Sequence, residues 1–307
     1  MRPVEVAAIC EAFDLGAPAG PLSYVARGEL GRVSRLVTED GRWAVKEIEL
    51  FVPTVDEADA NVELQESMLA AGVHLPRPRR TVDGHGLFEN VRVYEWLDMT
   101  PVSGGDPSVD EPVAESLARM HVYAPPPDLT PDPWYCEAPS RKVWEGLIEA
   151  APDTWWAPVV ASLVPELADV RRPVHSPARL CHLDVCPENV FRSEGRLIVI
   201  DWENAGPAGT IQDLGSTLWD FGQGDIGRTR AFVGHYRRHD GPLETLDEPV
   251  FDTARVVYAN LVDFHARRAL DTAFTPEAHE RTERALHGLL ARPLTRRLVG
   301  DLVAASS

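Results

Sequence analysis

A carboxylate at Asp184, a carboxamide five residues later at Asn189, and a second carboxylate at Asp201, just beyond the apolar run 197–200, are the residues here whose types and spacing can do chemistry together. The stretch reads His182-x-Asp184-x-x-x-x-Asn189, then Ile200-Asp201-Trp202-Glu203. An amide oxygen and a carboxylate are hard donors suited to a magnesium ion that bridges nucleotide phosphates. A carboxylate placed ahead of them can orient a hydroxyl and accept its proton. The order fits phosphoryl transfer, with Asp184 as base and Asn189 and Asp201 as metal ligands. His182 is expected to brace the loop through its ring nitrogens. Trp202 reads as packing, and Glu203 as either an acid behind the metal ligands or a cap for the next segment of chain.

Such a site also needs a cation for the phosphates, and Lys46 is the candidate. It is one of two lysines against 28 arginines, and it lies in the alternating strand 43–48. Where arginine is the default cation, a lysine inside an apolar strand suggests that a compact ammonium is wanted. Upstream, Gly28 and Gly31 bracket a turn whose backbone amides could approach phosphates. Downstream, Thr54-x-x-Glu57 is a capping-box pattern that opens a helix ending near Ala71, before Gly72. Of the helix acids, Glu63 is expected to face Lys46 and fix its ammonium, with Glu66 as the alternative.

These residues require a sheet followed by a helical region. A short leading helix is expected over 3–13, and antiparallel strands separated by Gly28, Gly31 and the Glu39-Asp40-Gly41 turn over 23–48. Two further strands, roughly 78–83 and 86–96, lead to a break at Asp98-Met99-Thr100-Pro101, taken as the domain boundary. The end of that second strand, at Glu95 and Leu97, could offer backbone groups to an adenine edge. From Asp110 the pattern is helical, with segments over 141–150, 154–170, 227–239, 247–271 and 276–290. Asp213 opens a further helix and reads as a loop-organising carboxylate. The fold class is therefore α+β, with an N-terminal sheet lobe over 1–98 and a helical catalytic lobe over 99–307.

Composition restricts the partners. The formal charge of −18 argues against nucleic acid or an anionic membrane and is compatible with a cationic ligand. No run reaches the length of a membrane span, and the N-terminus lacks an export-signal pattern, so a cytoplasmic protein is expected. The cysteines Cys10, Cys136, Cys181 and Cys186 show no Cys-x-x-Cys spacing and default to free thiols.

The His182–Asp184–Asn189 and Ile200-Asp201-Trp202-Glu203 motifs, with Asp213-Leu214 after them, resemble the aminoglycoside phosphotransferase and choline kinase group of the protein-kinase-like superfamily. The likeness covers most of the chain. It implies a bilobal fold, ATP or GTP with magnesium, and transfer of the terminal phosphate to a small-molecule hydroxyl. The acceptor it implies is a cationic antibiotic, which would make the chain a resistance enzyme, or a metabolite such as choline, an amino alcohol or a sugar. A cationic acceptor would want acids and aromatics, for which Trp219, Asp220, Asp225 and Asp263 are candidates. Two departures stand out: Leu183 replaces a glycine frequent in the group, and the phosphate-cradling turn matches loosely. The reading in a different class is a catalytically silent nucleotide-binding module.

Overall fold

A computed structural model describes residues 5–28, 31–127, 130–175, 177–272 and 274–306 of the 307. Glu29 and Leu30, inside the Gly28–Gly31 turn, and Pro3 and Val4, at the start of the expected leading helix, lie outside the described residues. In chain order the first elements are α1 (Val6–Phe13), β1 (Ser23–Arg27), β2 (Gly31–Thr38), β3 (Gly41–Ile48), α2 (Val55–Ala70), β4 (Pro78–Arg79), β5 (Val91–Glu95) and β6 (Thr100–Pro101). Next come α3 (Asp110–Tyr123), α4 (Arg141–Glu149), α5 (Ala157–Leu167), β7 (Ala178–Cys181), β8 (Val190–Ser193), β9 (Arg196–Val199) and β10 (Gly206–Gly209). The chain continues through α6 (Thr210–Gly222), α7 (Ile226–Arg238), α8 (Asp252–Ala269), α9 (Pro276–Ala291) and α10 (Arg296–Ser306).

Two compact units result. The first contains the residues up to Asp106 together with Val185–Ala205, and the second contains Pro107–Asp184 and the residues from Gly206 onward. The division differs from the one expected at residue 98. Residues 99–106 stay with the sheet unit because β6 pairs with β8, placing Thr100 opposite Arg192 and Pro101 opposite Phe191. β8 in turn pairs with β9, so the segment carrying Asn189 and Asp201 packs with the N-terminal unit. A two-residue strand such as β6 leaves no periodicity to read.

In the first unit, five antiparallel strands lie in the order β1-β2-β3-β5-β4. Alternation explains the layers: Leu36, Val45, Val91 and Val93 point to one face and are buried against Ile9, Cys10 and Phe13 of α1 and the following Leu15. Trp43 of β3 packs against that core too, while the alternate side chains of the two strands, Lys46 and Arg92 among them, point to the other face. The expected strand over 78–83 shrinks to β4, and the one over 86–96 to β5. Between them Thr81 to Gly84 close a turn, with the Gly84 N–H donating to the Thr81 carbonyl at 2.9 Å. α2 begins with the expected capping box: the Thr54 N–H donates to Glu57 at 2.8 Å, and the Glu57 N–H to the Thr54 hydroxyl at 3.3 Å.

The two glycines of the turn differ. Among the described residues a Cβ at Gly28 would meet nothing within 4 Å, whereas one at Gly31 would lie 2.0 Å from the Glu47 carbonyl oxygen of β3. Close passage of a neighbouring strand accounts for the glycine at 31. Gly31→Ala is expected to destabilise the protein by about 2 kcal/mol through forced strand separation. Gly28→Ala is expected to stay within about 0.5 kcal/mol, and urea unfolding of the two variants checks the contrast.

The second unit is helical apart from the antiparallel pair β7 and β10. Its largest fully buried side chains are Trp144, Trp156, Phe221, Phe232, Tyr236 and Phe251. Trp155 is 44% exposed and donates its ring N–H to Glu283. α6 starts at Thr210, three residues before Asp213, and α10 forms where no helix was expected.

Candidate functional site

Lys46 and Asp201 are 155 positions apart in sequence, and the first unit brings them into contact. The Lys46 ammonium donates to Asp201 Oδ1 at 2.7 Å and lies 2.9 Å from Glu203 Oε2. Asp201 follows β9 with a left-handed backbone (φ 63°), and Glu203 lies in the short turn Trp202–Asn204 beyond it. A non-glycine residue held there stores about 1–3 kcal/mol of strain, which surrounding contacts must over-determine. Asn189 is buried at the end of the turn Pro187–Asn189, its N–H donating to Cys186 and its carbonyl accepting the Ile200 N–H at 2.9 Å. That bond ties the residue just before Asp201 to Asn189.

The electrostatics follow from two cations and two acids in little water. Burial works against the Lys46 ammonium, but the charges of Glu203 and Asp201 outweigh it and push its pKa up. Burial and the neighbouring Glu203 charge push the Asp201 carboxyl up to about 7, with Lys46 pulling the other way. Glu203 is also buried, yet Lys46 and Arg92 hold its carboxyl well below the usual range. Burial pushes Tyr94 up to about 12, so its hydroxyl stays a donor, and it donates to Glu203 Oε1 at 3.1 Å. Exposed Lys142 is the only other lysine, which makes Lys46 measurable. In amine acylation at pH 9, Lys46 is expected to label at least about 10-fold more slowly than Lys142, read by peptide mass spectrometry.

Glu63 does not perform the expected pairing. It is exposed on α2, and Glu66 pairs with Arg80 at 2.8 Å. The inward side of α2 presents Asn61 and Gln65, one turn apart and both buried. The Asn61 carboxamide oxygen accepts from Arg92 at 2.8 Å and from Gln65 at 2.6 Å, while its NH2 donates to the Trp202 carbonyl at 2.5 Å. Arg92, Tyr94, Asn61 and Gln65 were missed by the sequence reading. A signal existed: Arg92 and Tyr94 alternate within an otherwise apolar strand, and Asn61 and Gln65 interrupt the apolar side of a helix.

Asp184 is the last residue of the second unit before the chain enters the first. Its N–H donates to His182 Nδ1 at 3.3 Å, and His182 is 1% exposed, a brace as expected. Between them Leu183 has φ 67°, a conformation for which glycine is the natural residue. Asp213 organises this loop, since its Oδ1 accepts the Leu183 N–H at 3.1 Å.

A family model of phosphotransferase enzymes matches residues 22–249. The chain belongs to the phosphotransferase enzyme family. No curated protein sequence matches this phosphotransferase. Among solved structures, a spectinomycin phosphotransferase in complex with ADP and spectinomycin is similar over 99% of both chains, with 12% identity and a TM-score of 0.68. An amicoumacin kinase in complex with AMP-PNP, Ca2+ and Ami is similar over 95% of this chain and 94% of its own, at 15% identity and TM-score 0.63. A choline kinase from Streptococcus pneumoniae gives 20% identity and TM-score 0.55, over 88% of this chain and 94% of its own. These likenesses establish a protein-kinase-like fold with an antiparallel-sheet lobe and a helical remainder.

Within the phosphotransferase, Glu95 is the last residue of β5, and Leu97 lies in the segment after it. The Glu95 N–H is taken by the Arg77 carbonyl at 2.9 Å, and Leu97 is half-buried. Two acids expected near an acceptor have structural duties. Asp225 caps α7 by accepting the Arg228 N–H at 2.8 Å, and Asp263 pairs with Arg267 at 2.9 Å. Trp219 and Asp220 remain on a partly exposed side of α6. Among the described residues no helix is long and apolar enough to cross a membrane.

Proposed function

We propose that this phosphotransferase is a small-molecule kinase that transfers the terminal phosphate of ATP or GTP to a hydroxyl of a cationic antibiotic. The observation that carries this is the Lys46–Asp201 contact at 2.7 Å, which puts the sheet lysine on the carboxylate that closes the motif strand. Lys46 grips the phosphates, with the Gly28–Gly31 turn and backbone groups at Glu95 and Leu97 contributing to the nucleotide. Asn189 and Asp201 would hold magnesium, which would supply neutralisation of phosphate charge there. The donor set fits a hard cation: an amide and a carboxylate, with Asp201 keeping 36% of its side chain exposed and sharing its one lysine with Glu203. Asp184 orients the acceptor hydroxyl and takes its proton. The −18 charge supports a cationic acceptor, with the partly exposed Trp219 and Asp220 as candidates to meet it.

One observation favours a second reading, a metabolite kinase acting on choline, an amino alcohol or a sugar. With Asp225 and Asp263 committed to a cap and to Arg267, fewer acids remain than a polycation wants. Nucleotide consumption with ATP and with GTP, against aminoglycosides, basic peptide antibiotics, macrolides, choline and sugars, separates the readings. Turnover with a cationic antibiotic is the expected result. Turnover only with choline selects the metabolite reading, and turnover only with a neutral sugar removes the cationic acceptor altogether. Nucleotide binding without turnover for any acceptor returns the chain to a silent module.

A further inference from the structure

Lys46 and Arg92 stand directly opposite each other across β3 and β5. Their side chains are only 15% and 4% exposed. Like charges opposite one another in a ladder repel, and burial removes the water that would screen them. The strands can hold both cations only with an acid between them. That acid is Glu203, 10% exposed, with Oε2 2.9 Å from the Lys46 ammonium and Oε1 3.8 Å from the Arg92 guanidinium. Tyr94, two residues after Arg92 and on the same face, donates its hydroxyl to Oε1. The same guanidinium nitrogen, Arg92 Nη1, donates to the Asn61 carboxamide oxygen at 2.8 Å, and Asn61 also grips the Trp202 carbonyl, adjacent in sequence to Glu203.

These contacts together hold Glu203 against Lys46. α2, where an acid was expected, contributes an amide bridge through Asn61 and Gln65. We propose that Glu203, held by Arg92 and Tyr94, is the positioning residue that fixes Lys46, replacing the helix acid expected at Glu63. The division of labour leaves Asp201, the other acid on Lys46, for the metal. The anchor and the metal ligand then ride on one segment two residues apart. Displacement of a helix acid, which controls the lysine in protein kinases, has no counterpart here.

The inference rests on the kinase reading for what Lys46 does, and its test separates the two. In steady-state assays with the best acceptor, Glu203→Gln is expected to lower kcat/KM for the nucleotide by about 30- to 100-fold, the scale of a 1 Å misplacement. The acceptor KM and the metal activation constant are expected to stay within about twofold, since only the lysine is released. Tyr94→Phe, which removes one hydroxyl, is expected to shift nucleotide kcat/KM about threefold in the same direction and carries the test if Glu203→Gln does not fold. A change in metal activation constant instead would make Glu203 a metal ligand and overturn the proposal. So would loss of nucleotide kcat/KM in Glu63→Ala without loss in Glu203→Gln. Acylation of Lys46 relative to Lys142 in the ligand-free protein gives a readout independent of turnover. The ratio is expected to rise about fivefold or more in Glu203→Gln, and an unchanged ratio overturns the anchor. A changed ratio in a protein that phosphorylates nothing would keep the anchor and remove the kinase reading.

Discussion

Asp184→Asn is expected to lower kcat by about 10²- to 10⁴-fold, the range a positioned base contributes, while nucleotide affinity stays within about twofold. The substitution keeps the side-chain shape and removes only the capacity to take a proton. Asp184 is half-buried, and its backbone is fixed independently of its carboxylate through the N–H bond to His182. The loop should therefore survive the change. Single-turnover phosphorylation alongside equilibrium binding of a non-hydrolysable nucleotide makes the measurement. Loss of nucleotide affinity would move Asp184 to a binding role, and an undiminished rate would remove it from the chemistry. Lys46→Met should give the converse pattern, with binding weakened first, because the proposed function assigns that side chain to the nucleotide phosphates and not to the acceptor.

Asp184, Asn189 and Asp201 could be singled out from sequence because phosphoryl transfer asks for those residue types and a single stretch of chain carries them. Lys46 was legible because it is rare in composition and placed in a strand whose alternation is clean. What holds Lys46 was not. Choosing between Glu63 and Glu66 assumed that the acid would come from α2, but the helix phase is set by Ala58, Val62, Leu64 and Met68 seeking burial. That phase turns Asn61 and Gln65 inward and leaves Glu63 in solvent. The acid on Lys46 lies instead in a short turn after Asp201, where no periodicity shows which way a side chain points. It could have been inferred only from the register that puts Lys46 opposite Arg92, and register is a tertiary fact.

The division of the chain was half legible for a similar reason. The shift from strand texture to helix texture near residue 100 is real, and the fold class follows from it. That 185–205 returns to the first unit depends on β6, too short to announce itself, and on the Val199 N–H donating to the His74 carbonyl at 3.0 Å. Reading Asp213 as a loop organiser succeeded because a buried carboxylate in the first turn of a helix is a direct way to fix a neighbouring backbone, here through the Leu183 N–H.

That role makes Asp213→Ala the variant expected to damage the second unit most, by about 3 kcal/mol in urea unfolding. Asp213 is fully buried and accepts from two donors, the Leu183 N–H and His121 Nε2 at 3.0 Å. The other ring nitrogen of His121, Nδ1, lies 2.7 Å from the Tyr236 hydroxyl. Burial and the Asp213 charge push the Tyr236 phenol far up, so it remains a donor. His121, Cys181 and Asp213 place metal-capable atoms within 4.8 Å of one another, but both His121 nitrogens are already engaged and the group reads as a hydrogen-bonded chain. Its output is Leu183, whose left-handed backbone depends on Asp213 and whose side chain packs with Tyr135, Cys181 and Ala208. Asp213→Asn, which can still accept one bond, is expected to lower kcat about 10-fold by loosening Asp184, the next residue in the chain. Leu183→Gly relieves the strained φ at the loss of that packing, so the loop should depend less on Asp213 in that background. The double variant Leu183→Gly/Asp213→Asn is accordingly expected to lose less kcat than the product of the single losses. Strictly multiplicative losses would mean that Asp213 acts through α6 and the unit's core, with no special hold on the backbone that presents Asp184.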